Sequence, residues 1–284
     1  MAIPNLTLIG ESINDSVPST HALFEAGDLA GITALARTQA DLGAAYIDVN
    51  IGPRPAAFMA DLVRAVQSVT DKPLSIDSPD PALAEAGLAA YDPARGTPIL
   101  NSISPLRLGM FDLLAVRPFR PILLASENLR DGAEAPCLTA GETHAAAALL
   151  LETARSRGLA PGDCIIDPGI APIGTDTENN IHRLMGALRL MRADPAFAGV
   201  HVSVGLSNFT VMLPPKRADG SPVKAPLASA FLTRAMPLGL DMVIGSVKQP
   251  YALLPEGHPA LQCFDDCLAV EGFDVLIRVQ DFYS

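Results

Sequence analysis

The sequence predicts a single (β/α)8 barrel. Three observations carry that prediction. Short, nearly continuous apolar runs alternate with amphipathic runs along all 284 residues, as parallel strands covered on both faces require. Eight such pairs fill the chain at roughly 35 residues each, close to the roughly 250 residues typical of such barrels. The first strand runs into Gly10-Glu-Ser-Ile-Asn-Asp15, which is not the Gly-x-Gly-x-x-Gly turn expected of a doubly wound sheet.

The elements follow in order. Leu6–Ile13 is the first strand, and an Ala- and Leu-rich helix over Leu23–Leu42 ends at Gly43. Tyr46–Ile51 is the second strand; the helix after it, Ala56–Val69, repeats apolar residues at Phe58, Leu62, Val63 and Val66. Leu74–Asp77 precedes a helix over Pro81–Tyr91, with Asp80 as N-cap and Pro81 at the first helical position. Pro98–Ile103 and Pro121–Ser126 are strands four and five, with helices over Leu106–Val116 and Thr139–Arg157. Cys164–Pro168, His201–Ser207 and Met242–Val247 complete the strands, with helices over Glu178–Arg192, Pro226–Leu238 and His258–Val270. The barrel takes residues 1–271, and residues 272–284 are expected to pack against it as a further helical stretch. No linker, low-complexity segment or Walker A pattern interrupts it.

Composition narrows the function. A hydrophobic fraction of 49% excludes a disordered chain. A net charge of −11 argues against a nucleic-acid partner, because phosphate binding needs clustered Lys and Arg. No run of 18 apolar residues exists to cross a membrane. The N-terminus, Met1-Ala-Ile-Pro-Asn5, lacks the basic and apolar regions of a signal peptide, so a cytoplasmic protein is expected. Cys137, Cys164, Cys263 and Cys267 form no Cys-x-x-Cys and read as small buried hydrophobes in a reducing compartment.

In a barrel, functional groups sit at the C-terminal ends of strands. Those ends carry Glu11 and Asn14; Asp48-Val-Asn50; Asp77-Ser78; Asn101-Ser102; Ser126-Glu127-Asn128; Asp167; Ser207-Asn208; and Ser246 with Lys248. One Asp or Asn at such a place is an ordinary helix cap; five or more make a ring of carboxylates and carboxamides. The ring holds few cations and no histidine, Lys216 and Arg54 being the nearest positive groups. It suits a neutral heterocycle with an amidine-like edge, such as a pterin, whose 2-amino-pyrimidinone can donate two N–H bonds to one carboxylate. A sugar phosphate would want backbone amides and a helix N-terminus. A metal on Asp48, Asp77 and Asp167 is disfavoured without histidine or closely spaced acids, and none is expected.

Ile9-Gly-Glu-Ser-Ile-Asn14, Ile47-Asp-Val-Asn-Ile-Gly52, Ile76-Asp-Ser78, Leu100-Asn-Ser102, Ile166-Asp-Pro168 and Val204-Gly-Leu-Ser-Asn208 occur in that order. In this the chain resembles the pterin-binding barrel superfamily over nearly its whole length. Gly205-Leu-Ser-Asn208 is most similar to the methyltetrahydrofolate:corrinoid methyltransferases. The resemblance implies that Asp77, Asn101 and Asp167 bind the pterin edge, that Gly205 and Ser207 line the ring, and that Asn208 is the catalytic amide at N5. It gives Asp48 and Asn50 a supporting role, and Glu11, Asn14 and Lys216 are further supporting candidates. It implies a methyl-tetrahydropterin substrate, a homodimer and a corrinoid carried by a separate protein, since no Asp-x-His-x-x-Gly is present and the barrel uses all eight units. The chain departs from that family at Val211, where a Gln can stand, and in the Pro-rich loop Met212–Val223.

Two other readings remain open at this stage. Dihydropteroate synthase shares the barrel, and Asp167-Pro-Gly169 and Ile277-Arg-Val-Gln-Asp281 resemble its motifs. Its strand-seven Arg-Lys pair is replaced here by Asn208-Phe209, leaving Lys216 as a substitute, and Arg278 follows a complete eighth helix. A non-catalytic pterin-binding barrel is the other; it has no need of Asn208.

Overall fold

A computed structural model describes residues 3–284. Met1 and Ala2, where the N-terminal reading begins, lie outside the described residues. Strands β1 (Thr7–Asn14), β2 (Tyr46–Asn50), β3 (Leu74–Asp77), β4 (Ile99–Ile103) and β5 (Arg120–Leu124) are followed by a two-stranded ribbon, β6 (Glu127–Arg130) and β7 (Ala133–Pro136). β8 (Ile165–Asp167), β9 (His201–Gly205) and β10 (Met242–Gly245) complete the set. β1–β5 and β8–β10 close a parallel barrel in the order β1-β10-β9-β8-β5-β4-β3-β2. Helices lie between the strands, so the expected (β/α)8 architecture is the observed one.

The ribbon corrects the reading of Ser126-Glu127-Asn128 as a strand end. β6 pairs antiparallel with β7 outside the barrel. Asp131 and Gly132 both have positive φ, 53° and 78°, as a two-residue hairpin turn requires, and Asp-Gly is the dipeptide that supplies it.

The helices differ in three places. The helix expected over Leu23–Leu42 is two, α1 (Pro18–Glu25) and α2 (Leu29–Asp41). Gly27 turns the chain at φ 62°, and the Asp28 carboxylate restarts it by accepting from the Gly31 amide at 2.8 Å. α3 (Ala56–Gln67) and α4 (Pro81–Ala90, capped by Asp80) stand where expected. Leu106–Val116 is instead a 3-10 stretch over Leu108–Ala115; its first turn contains Gly109 and lacks a capping side chain. α5 (Ala140–Ser156) opens with a Thr139/Glu142 capping box. α6 (Asn180–Ala193), the single turn α7 (Leu206–Phe209), α8 (Lys224–Ala235), α9 (Pro259–Leu268) and α10 (Phe273–Tyr283) follow. α8 begins two residues before Pro226, whose missing N–H costs nothing in a first turn. Val275, Val279 and Phe282 are the buried face of α10.

Period-two alternation places the functional ring. One set of strand residues (Ile47, Val49, Leu74, Ile76, Leu100, Leu123, Ile166, Val204, Val243) packs outward in the main core. The other set points into the barrel. Its N-terminal layer is a separate buried cluster of Ile9, Ile99, Ile122, Ile165 and Met242. Two residues further along the strands the inward positions become Glu11, Asn101, Leu124, Asp167 and Ile244, joined by Asp48, Asn50, Ser75, Asp77, Ser203 and Gly205. Apolar side chains plug the bottom, and polar ones gather towards the C-terminal mouth. All four cysteines are buried free thiols.

Candidate functional site

Asp48 and Asp77 are inward neighbours on β2 and β3. Asp48 is 1% exposed. Burial and then the Asp77 charge push its carboxyl well above the usual range, opposed by hydrogen bonds from Ser75 and Asn101. Burial raises Asp77 to about 6. Two acids this close share a proton. Asp48, the more buried, keeps it, and Asp77 is the member that ionises near neutrality. Asn50 Nδ2 donates to Asp77 Oδ2 at 2.9 Å, and Asn50 Oδ1 accepts from the Gly52 amide at 2.9 Å. Asn50 thus fixes the Asp77 carboxylate. Asp77 pairs in register with Asn101 on β4, whose amide lies 3.5 Å from Asp48 Oδ1. A cavity of about 480 Å3 opens beside Asp77, Asn50 and Arg54.

Asp167, at the end of β8, is 8% exposed. Burial raises it to about 6, offset by the Gly169 amide, which donates at 2.7 Å, and by the Arg183 charge. Arg183 was not foreseen. It is 6% exposed, and its guanidinium donates to the carbonyls of Pro168 (2.6 Å) and Gly169 (2.9 Å) and to Thr143 Oγ1 (2.9 Å). It ties the Asp167 loop to α5 and α6. The amphipathic pattern of α6 gives no sign of this inward arginine. Arg183→Met leaves two buried carbonyls without donors and should lower stability by about 2–4 kcal/mol, measured by urea unfolding. An unchanged midpoint would refute the role.

Across the mouth, β9 ends at Gly205 and turns into α7. Ser207 Oγ donates a hydrogen bond to Glu11 Oε1 on β1. Burial raises the Glu11 carboxyl, opposed by that bond. Tyr251, raised to about 12 by burial and the Glu11 charge, joins them. It had no sequence signal, being a lone aromatic in the loop after β10. Asn208 is exposed, and its side-chain amide makes no hydrogen bond among the described residues. The amide is backed by Gly205: a Cβ there would lie 2.9 Å from Asn208 Nδ2. Gly205→Ala should therefore swing the Asn208 amide aside at little cost in melting temperature while reducing any activity that depends on it, by about tenfold or more. Full activity in this variant would show that the amide's place is immaterial.

The remaining sequence candidates have other partners. Asn14 Oδ1 accepts from the Ser16 amide at 2.8 Å, a local turn that starts α1. Arg54 lines the mouth, but Asp15 (2.6 Å) and Glu25 (2.7 Å) neutralise it. Lys216 is exposed in a small bridge with Pro222. The cation beside Ser207 is instead Lys224, lining a cavity of about 210 Å3 with Thr210, Gln249 and Tyr251. Among the described residues no three His, Cys, Asp or Glu side chains are grouped to hold a metal, and no helix is long and apolar enough to cross a membrane.

The chain is 26% identical over 250 residues to a methylcorrinoid:tetrahydrofolate methyltransferase from Eubacterium limosum, covering 84% of each. Among solved structures it is similar to dihydropteroate synthase from Xanthomonas albilineans in complex with 7,8-dihydropteroate, at TM-score 0.60 and 19% identity over 95% of this chain and 96% of that one. It is also similar to the Yersinia pestis enzyme with a pterine-sulfa conjugate, at TM-score 0.60 and 16% identity over 86% and 88%. At such identities these two speak for the barrel alone. The profile of the pterin binding enzymes matches residues 13–245, from the last residues of β1 to the end of β10. The chain belongs to the pterin binding enzyme family.

Proposed function

We propose that this chain moves a methyl group between N5 of a methyl-tetrahydropterin, of the methyltetrahydrofolate kind, and the cobalt of a corrinoid carried by a separate protein. The observation that carries the reading is the end of β9. Ser207 is followed by a free, exposed amide at Asn208 and then by Phe209, which is 1% exposed and packed against Phe231 and Phe264. A condensing enzyme that expels pyrophosphate needs fixed cations there. A methyl transferase needs a directed hydrogen bond at N5.

The donor set fits a pterin. Half-buried Asp77 and buried Asp167 are acceptors that ionise near pH 6, suited to the N–H donors of an amino-pyrimidinone edge, and Asn101 offers both donor and acceptor. The N5-methyl of a tertiary amine is a poor electrophile because its nitrogen is a poor leaving group. A proton or strong hydrogen bond at N5 lets the C–N bond break with its electron pair remaining on nitrogen. Asn208 supplies a hydrogen bond that strengthens as charge changes there. When bound on its partner, the corrinoid supplies Co(I), the nucleophile that accepts the methyl. The same site serves the reverse transfer.

The name of the Eubacterium limosum relative supports this reading. Lys224 favours the other, a dihydropteroate synthase-like condensation of a pterin with an aminobenzoate, since it places one cation beside Ser207. One assay separates them. The chain is incubated with methyltetrahydrofolate and chemically reduced cob(I)alamin, and in parallel with p-aminobenzoate and a pterin pyrophosphate. Methylcobalamin formation is expected; pteroate formation in its place overturns the proposal.

A further inference from the structure

β1 contains one residue more than its neighbour allows. Gly10 pairs with Ile47 but Ile13 with Val49, so three steps on β1 match two on β2, and the surplus falls at Glu11-Ser12. Strict alternation would send residues three apart to opposite faces. The bulge brings both Glu11 and Asn14 inward and turns Ile13 out to the core. Its cost is an unpaired backbone at Ser12. Two buried side chains from outside the barrel meet that cost. Gln39 of α2 accepts from the Ser12 amide at 2.8 Å, and Thr20 of α1 donates to the Ser12 carbonyl at 2.8 Å. Each is 1% exposed. Gln39 leaves its own Nε2 buried without a partner, so it stands there for its oxygen. Gly10 makes the room: a Cβ there would come within 2.5 Å of Gln39 Oε1.

We propose that Gln39 and Thr20 are positioning residues, which hold the β1 bulge open and so aim Glu11 at Ser207 across the mouth. Its kinetic consequence rests on the proposed methyl transfer; its structural consequence does not. Glu11 faces Ser207 and Tyr251 from the β9 and β10 ends and Asp48 from β2. Misaiming it exposes its carboxyl to solvent.

The test uses the full chain with 13C-labelled glutamate. Gln39→Leu and Thr20→Val should each lower the titration midpoint of Glu11 towards the ordinary carboxylate value and reduce kcat/KM for methyl transfer on the order of tenfold. Gln39→Glu and Thr20→Ser, which keep the needed oxygen, should restore both. Thr20→Val is nearly isosteric and decides the question if Gln39→Leu does not fold. A Glu11 midpoint unmoved in a folded variant, with only the melting temperature lower, overturns the proposal. Wild-type protein that transfers no methyl would overturn the proposed function, while the titration would still decide this one.

Discussion

On the proposed methyl transfer, Asn208→Ala should lower turnover on the order of 10²-fold or more, with pterin affinity falling by less than about tenfold. The asymmetry follows from where the amide sits. It is exposed, unbonded among the described residues and backed by Gly205, so nothing in the empty protein competes for it. The neutral ground state gains little from one amide in a wet mouth. As the N5 electron pair reorganises, a fixed dipole gains value. Single-turnover kinetics with cob(I)alamin would read the chemical step, and equilibrium titration with methyltetrahydrofolate the binding. Equal losses in both would make Asn208 a binding residue, and unchanged turnover would remove it from the mechanism.

The second large effect is on binding. If Asp167 and Asp77 hold the proposed tetrahydropterin, Asp167→Asn and Asp77→Asn should each weaken its binding by about 10²–10³-fold, because an N–H2 replaces a charged acceptor and faces the ligand's own N–H donors. Since both acids titrate near 6, wild-type affinity should fall as pH drops from 7 to 5, and each variant should lose part of that dependence. A flat profile would remove the carboxylates from the pterin edge. The linkage runs the other way for the empty fold. A carboxyl raised from 3.8 to about 6 favours folding below pH 3.8, and that stability is lost as pH rises to 6. At pH 7 unliganded Asp167→Asn should therefore be more stable than wild type, by up to about 3 kcal/mol. The site holds a cost of burial that the proposed ligand would relieve.

Much of this could be read from the chain because a barrel converts sequence period into place. An apolar run ending in Asp or Asn states both strand and mouth, so β3 ended at Asp77 and β8 at Asp167 as read. What escaped depended on partners remote in sequence. Nothing around Arg183 or Tyr251 tells of the loops they meet. The β1 bulge looked like an ordinary strand end, although a Gln in an Ala- and Leu-rich run was a trace of it. Asn14 closed the first strand-end motif and Lys216 stood as the nearest cation after strand seven; the first also serves a local turn and the second is exposed. Two local signals were present and missed: Gly27-Asp28, which parts α1 from α2, and Asp131-Gly132, which makes the ribbon.

The bond between Glu11 and Ser207 spans 196 residues, and the β1–β10 pairing that closes the barrel is of similar reach. Contacts so far apart in the chain form late, after the loop-closing entropy has been met. Asp77 and Asn101 belong to the first half of the chain; Asp167, Ser207 and Asn208 belong to the second. Neither half carries a whole mouth, so the proposed tetrahydropterin would meet its full set of partners only in the finished ring. It would then act as a ligand of the last folding step, adding about 1.4 kcal/mol to the closed barrel for each tenfold excess over its Kd.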